Sequence, residues 1–152
     1  MLRAWIAFLV LPGTVAYLVP FLLRPAHRSD LAWRPAGAAA VAVGSALLAW
    51  CAWDFHAAGK GTLAPWAPPR VLVTRGLYRL SRNPMYVSVV LVLLGWSIWF
   101  TSPGLLAYAL GVAAAFHLRV VLHEEPRLEA TFGDAWMAYR ARVSRWVPGG
   151  RP

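Results

Sequence analysis

The sequence is poor in charge and nearly devoid of cysteine. Charged residues fill 14% of its 152 positions, against 59% for hydrophobic ones, a more apolar balance than soluble globular chains carry. A soluble domain of this size spreads its polar residues along amphipathic patterns, but here they fall between long apolar runs. The bilayer is the better solvent for such a chain. Its one cysteine, Cys51, lies inside an apolar run, which excludes an intrachain disulfide and a cysteine-rich zinc site. His27, His56, His117 and His123 have no zinc-like spacing, so no metal is expected. Neither a serine–histidine–acid set nor a phosphate loop is found. The net charge of +9 raises nucleic acid as a partner. The basic residues are not gathered on one exposed module, however, and juxtamembrane arginines drawn to anionic headgroups explain the excess better.

Four apolar runs are present: Ala4 to Leu23, Pro35 to Phe55, Pro84 to Phe100, and Pro103 to Leu122. Each approaches the roughly 20 residues needed to cross a hydrocarbon core. The second is rich in Ala, Val and Gly, which suits close helix packing in lipid. The first follows Arg3 as a signal peptide would, but it is longer than a typical h-region and no small-x-small site follows, so a retained helix is expected. The sequence therefore predicts an all-α integral membrane protein of about four transmembrane helices, in one domain over residues 1–152.

The arginines predict the topology. With four crossings, one side receives Arg3, Lys60, Arg70, Arg75, Arg79, Arg82, Arg119, Arg127, Arg140, Arg142, Arg145 and Arg151. The other receives only Arg24, Arg28 and Arg34. The positive-inside rule then places both termini in the cytoplasm, and a bacterial inner membrane is the expected location. Thr101 and Ser102 alone separate the third run from the fourth, which implies a tight antiparallel hairpin. The two long polar segments, 56–83 and 119–152, then emerge on one face, and any polar chemistry is built there. In the tail, Leu128, Phe132, Trp136 and Tyr139 recur at three- and four-residue spacing, predicting an amphipathic interfacial helix.

Within those polar segments two groups stand out. Arg82, Asn83 and Tyr86 cluster at the start of the third run, where free backbone N–H groups favour an anion. A purely structural account also exists: Asn83 is a good N-cap and Pro84 suits the first helical position. Glu124 and Glu125 follow the fourth run. Adjacent carboxylates usually mark a solvated face, yet His117, Val121 and Glu124 share one helical stripe. A carboxylate there suits a ribose hydroxyl pair or an ammonium group. His117, inside the apolar run, is either partnered or functional, with Arg119 close by. Gly59-Lys60-Gly61-Thr62 is no dinucleotide fingerprint, because no strand precedes it. The proline-rich stretch after it reads as a rigid loop at the membrane surface, anchored by Trp66.

In this order, the motifs resemble a known superfamily, the isoprenylcysteine carboxyl methyltransferases and phospholipid N-methyltransferases. The resemblance runs from about Gly59 to Pro148. It rests on Gly59-Lys60-Gly61-Thr62, Leu72-Val73, Arg75-Gly76-Leu77-Tyr78-Arg79, Ser81-Arg82-Asn83-Pro84-Met85-Tyr86, Gly95, Ser102-Pro103-Gly104-Leu105-Leu106, Glu124-Glu125-Pro126-Arg127-Leu128, Phe132-Gly133, Tyr139 and Val143 to Pro148. It implies a catalytic part over about 56–148 that binds S-adenosylmethionine at the cytoplasmic face and methylates a membrane lipid or lipophilic small molecule. The cofactor contacts it implies are Gly59, Gly61, Glu124, Glu125 and the motif around Asn83 with Tyr86; Tyr78 and His117 are expected beside them. Arg82, Arg119 and Glu124 are the expected catalytic groups, orienting substrate rather than transferring protons. Asn83 stands where the isoprenylcysteine enzymes usually carry His, which, with the short chain, tilts the acceptor from a prenylcysteine carboxylate towards a phospholipid amine or a small lipophilic acceptor. A small thiol also remains possible on the sequence.

Other classes fit less well. A four-helix transporter needs an ionisable residue inside a span, and His117 is the sole credible one. A glutathione-using membrane enzyme would show Arg and Glu on the second helix, which carries neither. A non-catalytic lipid-binding scaffold stays open, and cofactor binding would separate it.

Overall fold

The computed structural model describes residues 12–25, 31–57 (side chains through Asp54) and 71–148. The start of the first apolar run, Arg3, Lys60, Trp66 and the candidate glycines Gly59 and Gly61 lie outside the described residues. Every described element is helical, and no strand occurs among them. A π-helical stretch, Thr14–Leu18, runs into a short α-turn, Val19–Leu22 (α1). A 3-10 turn, Leu31–Trp33, precedes α2 (Arg34–Ala57). A second 3-10 turn, Gly76–Arg79, leads towards α3 (Pro84–Trp99), which α4 (Pro103–Arg119) follows. A π-helical stretch, Val120–Glu124, then passes without a break into α5 (Glu125–Phe132), and α6 (Asp134–Arg140) completes the order.

The segment from Leu31 to Asp54 and the continuous one from Pro103 to Phe132 are each long and apolar enough to cross a membrane. At 16 residues, α3 reaches about 24 Å at 1.5 Å per residue. The outward faces of the two longer segments are apolar: Val43, Trp50, Trp53, Leu106, Leu110, Leu118 and Leu122 are all exposed. Water would penalise such a surface, whereas hydrocarbon does not.

Glycine sets how closely α2 and α3 approach. A Cβ on Gly37 would sit 2.5 Å from the Trp99 nitrogen, and one on Gly95 would sit 2.7 Å from the Val41 nitrogen. Backbone meets backbone there, the close packing that small residues permit in lipid. Val89, Val92 and Leu93 of α3 then bury against Leu48 and Ala52 of α2, with Ala109 of α4 closing the cluster.

The first helical segment is held by a repair of its own backbone. Pro20 lacks the N–H that an α-helix would send to the carbonyl four residues earlier, on Ala16. Trp96 of α3 supplies the missing donor, its indole Nε1 lying 3.0 Å from the Ala16 oxygen. The Tyr108 hydroxyl donates to the neighbouring Val15 carbonyl at 3.2 Å. Tyr17 and Ser45 share a hydrogen bond of 2.6 Å, which ties the segment to α2 as well.

The tail differs from the sequence expectation. Instead of one amphipathic helix, α5 and α6 meet at Gly133, whose φ of +49° bends the chain between them. Trp136 and Tyr139 do not face outward. With Val143 they form a buried cluster against Leu72, Leu128 and Phe132. The periodicity was real, but the chain's own segment around Leu72 covers the apolar face.

Candidate functional site

The polar side chains of interest gather at one end of the bundle, where α2 ends, α3 begins and α4 passes into α5. Asp54, buried near the end of α2, holds the approach to α3. Its carboxylate accepts the Leu77 N–H at 3.4 Å, and its carbonyl accepts Arg75 Nη2 at 3.4 Å. Gly76 is needed here on two counts. Its φ is +58°, and a Cβ would run into the Asp54 carboxylate.

Beyond that turn, residues 78–83 are laced to residues 139–145. The Tyr139 hydroxyl donates to the Tyr78 carbonyl at 2.7 Å. The Arg82 N–H donates to the Ser144 carbonyl at 2.9 Å. The Arg145 carbonyl accepts both Ser81 Oγ, at 3.1 Å, and Asn83 Nδ2, at 3.2 Å. Asn83 stands at the N-cap position without a side-chain capping bond, its side chain directed to the tail by the Nδ2 bond. The Tyr78 ring is itself buried, and burial pushes its phenol well above the ordinary value.

Glu125 is the centre of this lacing. Arg145 grips it in a two-pronged pair, Nε to Oε1 and Nη2 to Oε2, each at 2.8 Å. Arg82 Nη1 lies 3.0 Å from Oε1 on the other side. That third contact is an ion pair without hydrogen-bond alignment, because Nε and Nη1 of Arg82 are buried with no hydrogen-bond partner among the described residues. Trp136 Nε1 is a third buried donor in the same state, and the Arg82 guanidinium lies 5.7 Å from the Trp136 ring. Burial is the first influence on Arg82 and lowers its pKa, with Glu125 opposing. The hydrogen bond to Glu125 raises that of Arg145.

Glu124 belongs to a separate group. Its Oε1 accepts the Tyr86 hydroxyl and, at 2.8 Å, Arg119 Nε. Tyr86 stacks on Phe116 with ring centres 4.3 Å apart. Arg119 and Glu124 are both partly open to the surroundings, beside the exposed Leu118 and Leu122.

The predicted residues are thus brought together as two neighbouring groups, Arg82, Asn83 and Glu125 in one and Tyr86, Arg119 and Glu124 in the other. His117 joins neither. The π stretch inserts an extra residue into the helix before Glu124, breaking the seven-residue stripe, and His117 is exposed with its ring 5.9 Å from that of Trp146. Arg145, Trp136, Asp54 and Phe116 were not predicted from the sequence as site residues. Of these only Arg145 had a signal: a buried glutamate requires a cation, and the tail motif from Val143 to Pro148 contains one.

Chemically, the first group offers buried donors that lack an acceptor, the requirement of a carboxylate or phosphate. The second offers a carboxylate and a flat aromatic stack. Residues 33–135 match the phospholipid methyltransferase family. An uncharacterised protein of Haemophilus influenzae is 34% identical over 67 residues, 41% of this chain and 100% of that one. No solved structure matches. The chain belongs to the phospholipid methyltransferase family, and that membership carries with it methyltransferase activity in a membrane.

Proposed function

We propose that this protein is a multi-pass methyltransferase that uses S-adenosylmethionine at the cytoplasmic face of a bacterial inner membrane, with a phospholipid amine as acceptor. The observation that carries the reading is the trio of buried donors without acceptors, Arg82 Nε and Nη1 and Trp136 Nε1, beside Glu125. An unmet buried donor costs roughly 1–3 kcal/mol, and a carboxylate is the kind of acceptor that such donors call for. The amino-acid end of S-adenosylmethionine supplies one. The Tyr86–Phe116 stack suits its adenine, and Glu124 suits ribose hydroxyls or an ammonium group. The residues therefore fit the cofactor, with Gly59, Gly61, Asn83 and the Tyr78 segment as further proposed contacts.

Bound there, the cofactor supplies a methyl group already activated by a sulfonium. The protein's task is positioning. Glu125 acts through Arg82, holding the guanidinium in place rather than meeting the ligand. Arg119 and Glu124 are adjacent opposite charges at a lipid-facing surface, complementary to the phosphate and ammonium of a zwitterionic headgroup. Their proposed role is to orient the amine for in-line attack on the methyl carbon. The headgroup nitrogen would react as the neutral amine, its ammonium proton having passed to water, and the bound cofactor would supply the methyl group and be left as a neutral thioether. Four crossings with a hairpin between α3 and α4, and both termini cytoplasmic, place this end of the bundle with the excess of arginines.

The test is calorimetric titration of the detergent-purified chain with S-adenosylmethionine and with its demethylated product. Saturable binding that weakens at least tenfold in Arg82→Met, and that Asn83→Ala also weakens, supports the pocket. Folded wild-type protein that binds neither compound at millimolar concentration sinks the enzyme reading and favours a lipid-binding scaffold.

A further inference from the structure

The opposite end of the bundle carries a second site. Tyr17, Leu18, Phe21, Trp96 and Phe100 line an open groove of about 400 Å³ between the first helical segment and the far end of α3. It lies at the C-terminal end of α3, roughly 24 Å from the Asn83 end, so it is no part of the candidate methyl-transfer site.

The groove is apolar for a specific reason. The two polar atoms its aromatic residues possess are turned away and satisfied: Trp96 Nε1 on the Ala16 carbonyl and Tyr17 Oη on Ser45. What remains for an occupant is ring face and aliphatic carbon, with Leu18 and Phe21 both exposed. Arg24 stands at the rim with its guanidinium 3.9 Å from the centre of the Phe21 ring. No hydrogen bond or ion pair ties that cation to an acid among the described residues, so the rim offers a positive charge to a ligand whose body is hydrocarbon.

We propose that this groove binds one acyl chain of an anionic phospholipid, with the headgroup phosphate on Arg24, in the leaflet opposite the methyl-transfer face. The apolar groove selects a chain, and the cation above it selects the sign of the headgroup. Phe21 links the two, because the same ring lines the groove and carries the guanidinium. A bound lipid would bridge the first segment and α3, which the Trp96 indole joins through the Ala16 carbonyl.

The test uses the full chain in detergent with a phosphatidylglycerol carrying a photoactivatable group on one acyl chain. Cross-linked peptides are mapped, and unlabelled phosphatidylglycerol or phosphatidylcholine of matched chains competes. The expected result is labelling concentrated on peptides containing 17–21 and 96–100. Phosphatidylglycerol should compete at least fivefold better than phosphatidylcholine. Arg24→Gln should abolish that preference while leaving titration with the demethylated cofactor unchanged. Leu18→Trp, which fills the groove, should remove the labelling. Labelling no stronger there than on the lipid-facing peptide 106–110 overturns the site. Equal competition by the two lipids in the wild type overturns the role of Arg24.

Discussion

Replacing Glu125 with Gln tests the centre of the site, because the two charges around it differ in what they do when it is gone. The substitution keeps the shape of the side chain and removes its charge. Arg145, with 28% of its side chain exposed, turns to water at little cost, whereas Arg82, at 2%, has no such route. Breaking a buried pair by removing one partner costs about 3–5 kcal/mol, and the escape of Arg145 puts this case near the low end. For about 3 kcal/mol, a chain of this length loses roughly 6–12 °C of melting temperature. Binding of S-adenosylmethionine should fall at least tenfold, about 1.4 kcal/mol, because Arg82 is no longer held.

The double replacement Arg82→Met with Glu125→Leu separates the two roles. It removes the buried charges together and leaves apolar groups of similar volume, a change that is often neutral or stabilising. Its melting temperature should return towards the wild-type value while cofactor binding stays lost. The assays are thermal unfolding in detergent, followed by tryptophan fluorescence, and calorimetric titration of the same preparations. A double variant that binds the cofactor as the wild type does would refute Arg82 as the anion anchor. A Glu125→Gln variant that melts within a degree or two of wild type would refute the buried clamp itself.

Two further perturbations read the scaffold. Trp96→Phe removes the donor to Ala16 and should destabilise the chain by about 1–3 kcal/mol; Pro20→Ala returns a backbone N–H to that carbonyl and should rescue much of the loss in the double variant. Additive losses in the same unfolding assay would show that the indole does not substitute for the missing N–H. Burial pushes the Tyr139 phenol up to about 12, with Arg82 pulling the other way. Because its folded value lies above the ordinary value near 10, its contribution to stability is complete below about pH 10 and is lost as pH rises to about 12. Tyr139→Phe should lower the melting temperature at neutral pH by removing the bond to Tyr78 and should flatten the alkaline fall. An unchanged alkaline profile would count against Tyr139 as its source.

The helices were legible because prolines mark their starts. Pro84 and Pro103 open α3 and α4 at the first turn, where a missing N–H does no harm, and apolar composition sustained the runs between. The candidate residues near Arg82 and Glu125 were legible as motifs. Their partners were not, because Arg145 is 20 positions from Glu125 and no local period connects them. Asn83 shows how a sound local rule is overridden. Its type and position suit an N-cap, but its Nδ2 donates to the Arg145 carbonyl and its Oδ1 makes no capping bond, so the side chain is oriented by the tail rather than by the helix end. In the tail, the three- and four-residue spacing found the apolar face correctly. It could not reveal that Gly133 bends the chain so that Leu72 covers part of that face instead of lipid.

The two π-helical stretches have a common cause and opposite uses. Thr14–Leu18 ends two residues before Pro20, and Val120–Glu124 ends two residues before Pro126. In each case a regular α-helix would push the proline ring against a carbonyl one turn back, and a widened turn relieves the clash. At Pro20 the disturbed carbonyl is capped by Trp96, and the outcome is a tether between helices. At Pro126 the extra residue rotates everything before it by about 100° relative to an unbroken α-helix. His117 and Glu124, seven residues apart, would otherwise share a face. The rotation sends His117 to Trp146 and leaves Glu124 with Tyr86 and Arg119. Glu125, next in sequence, meets Arg82 and Arg145 instead. A single imino acid thus helps to divide adjacent carboxylates between two tasks, one buried and structural, the other open towards the lipid surface.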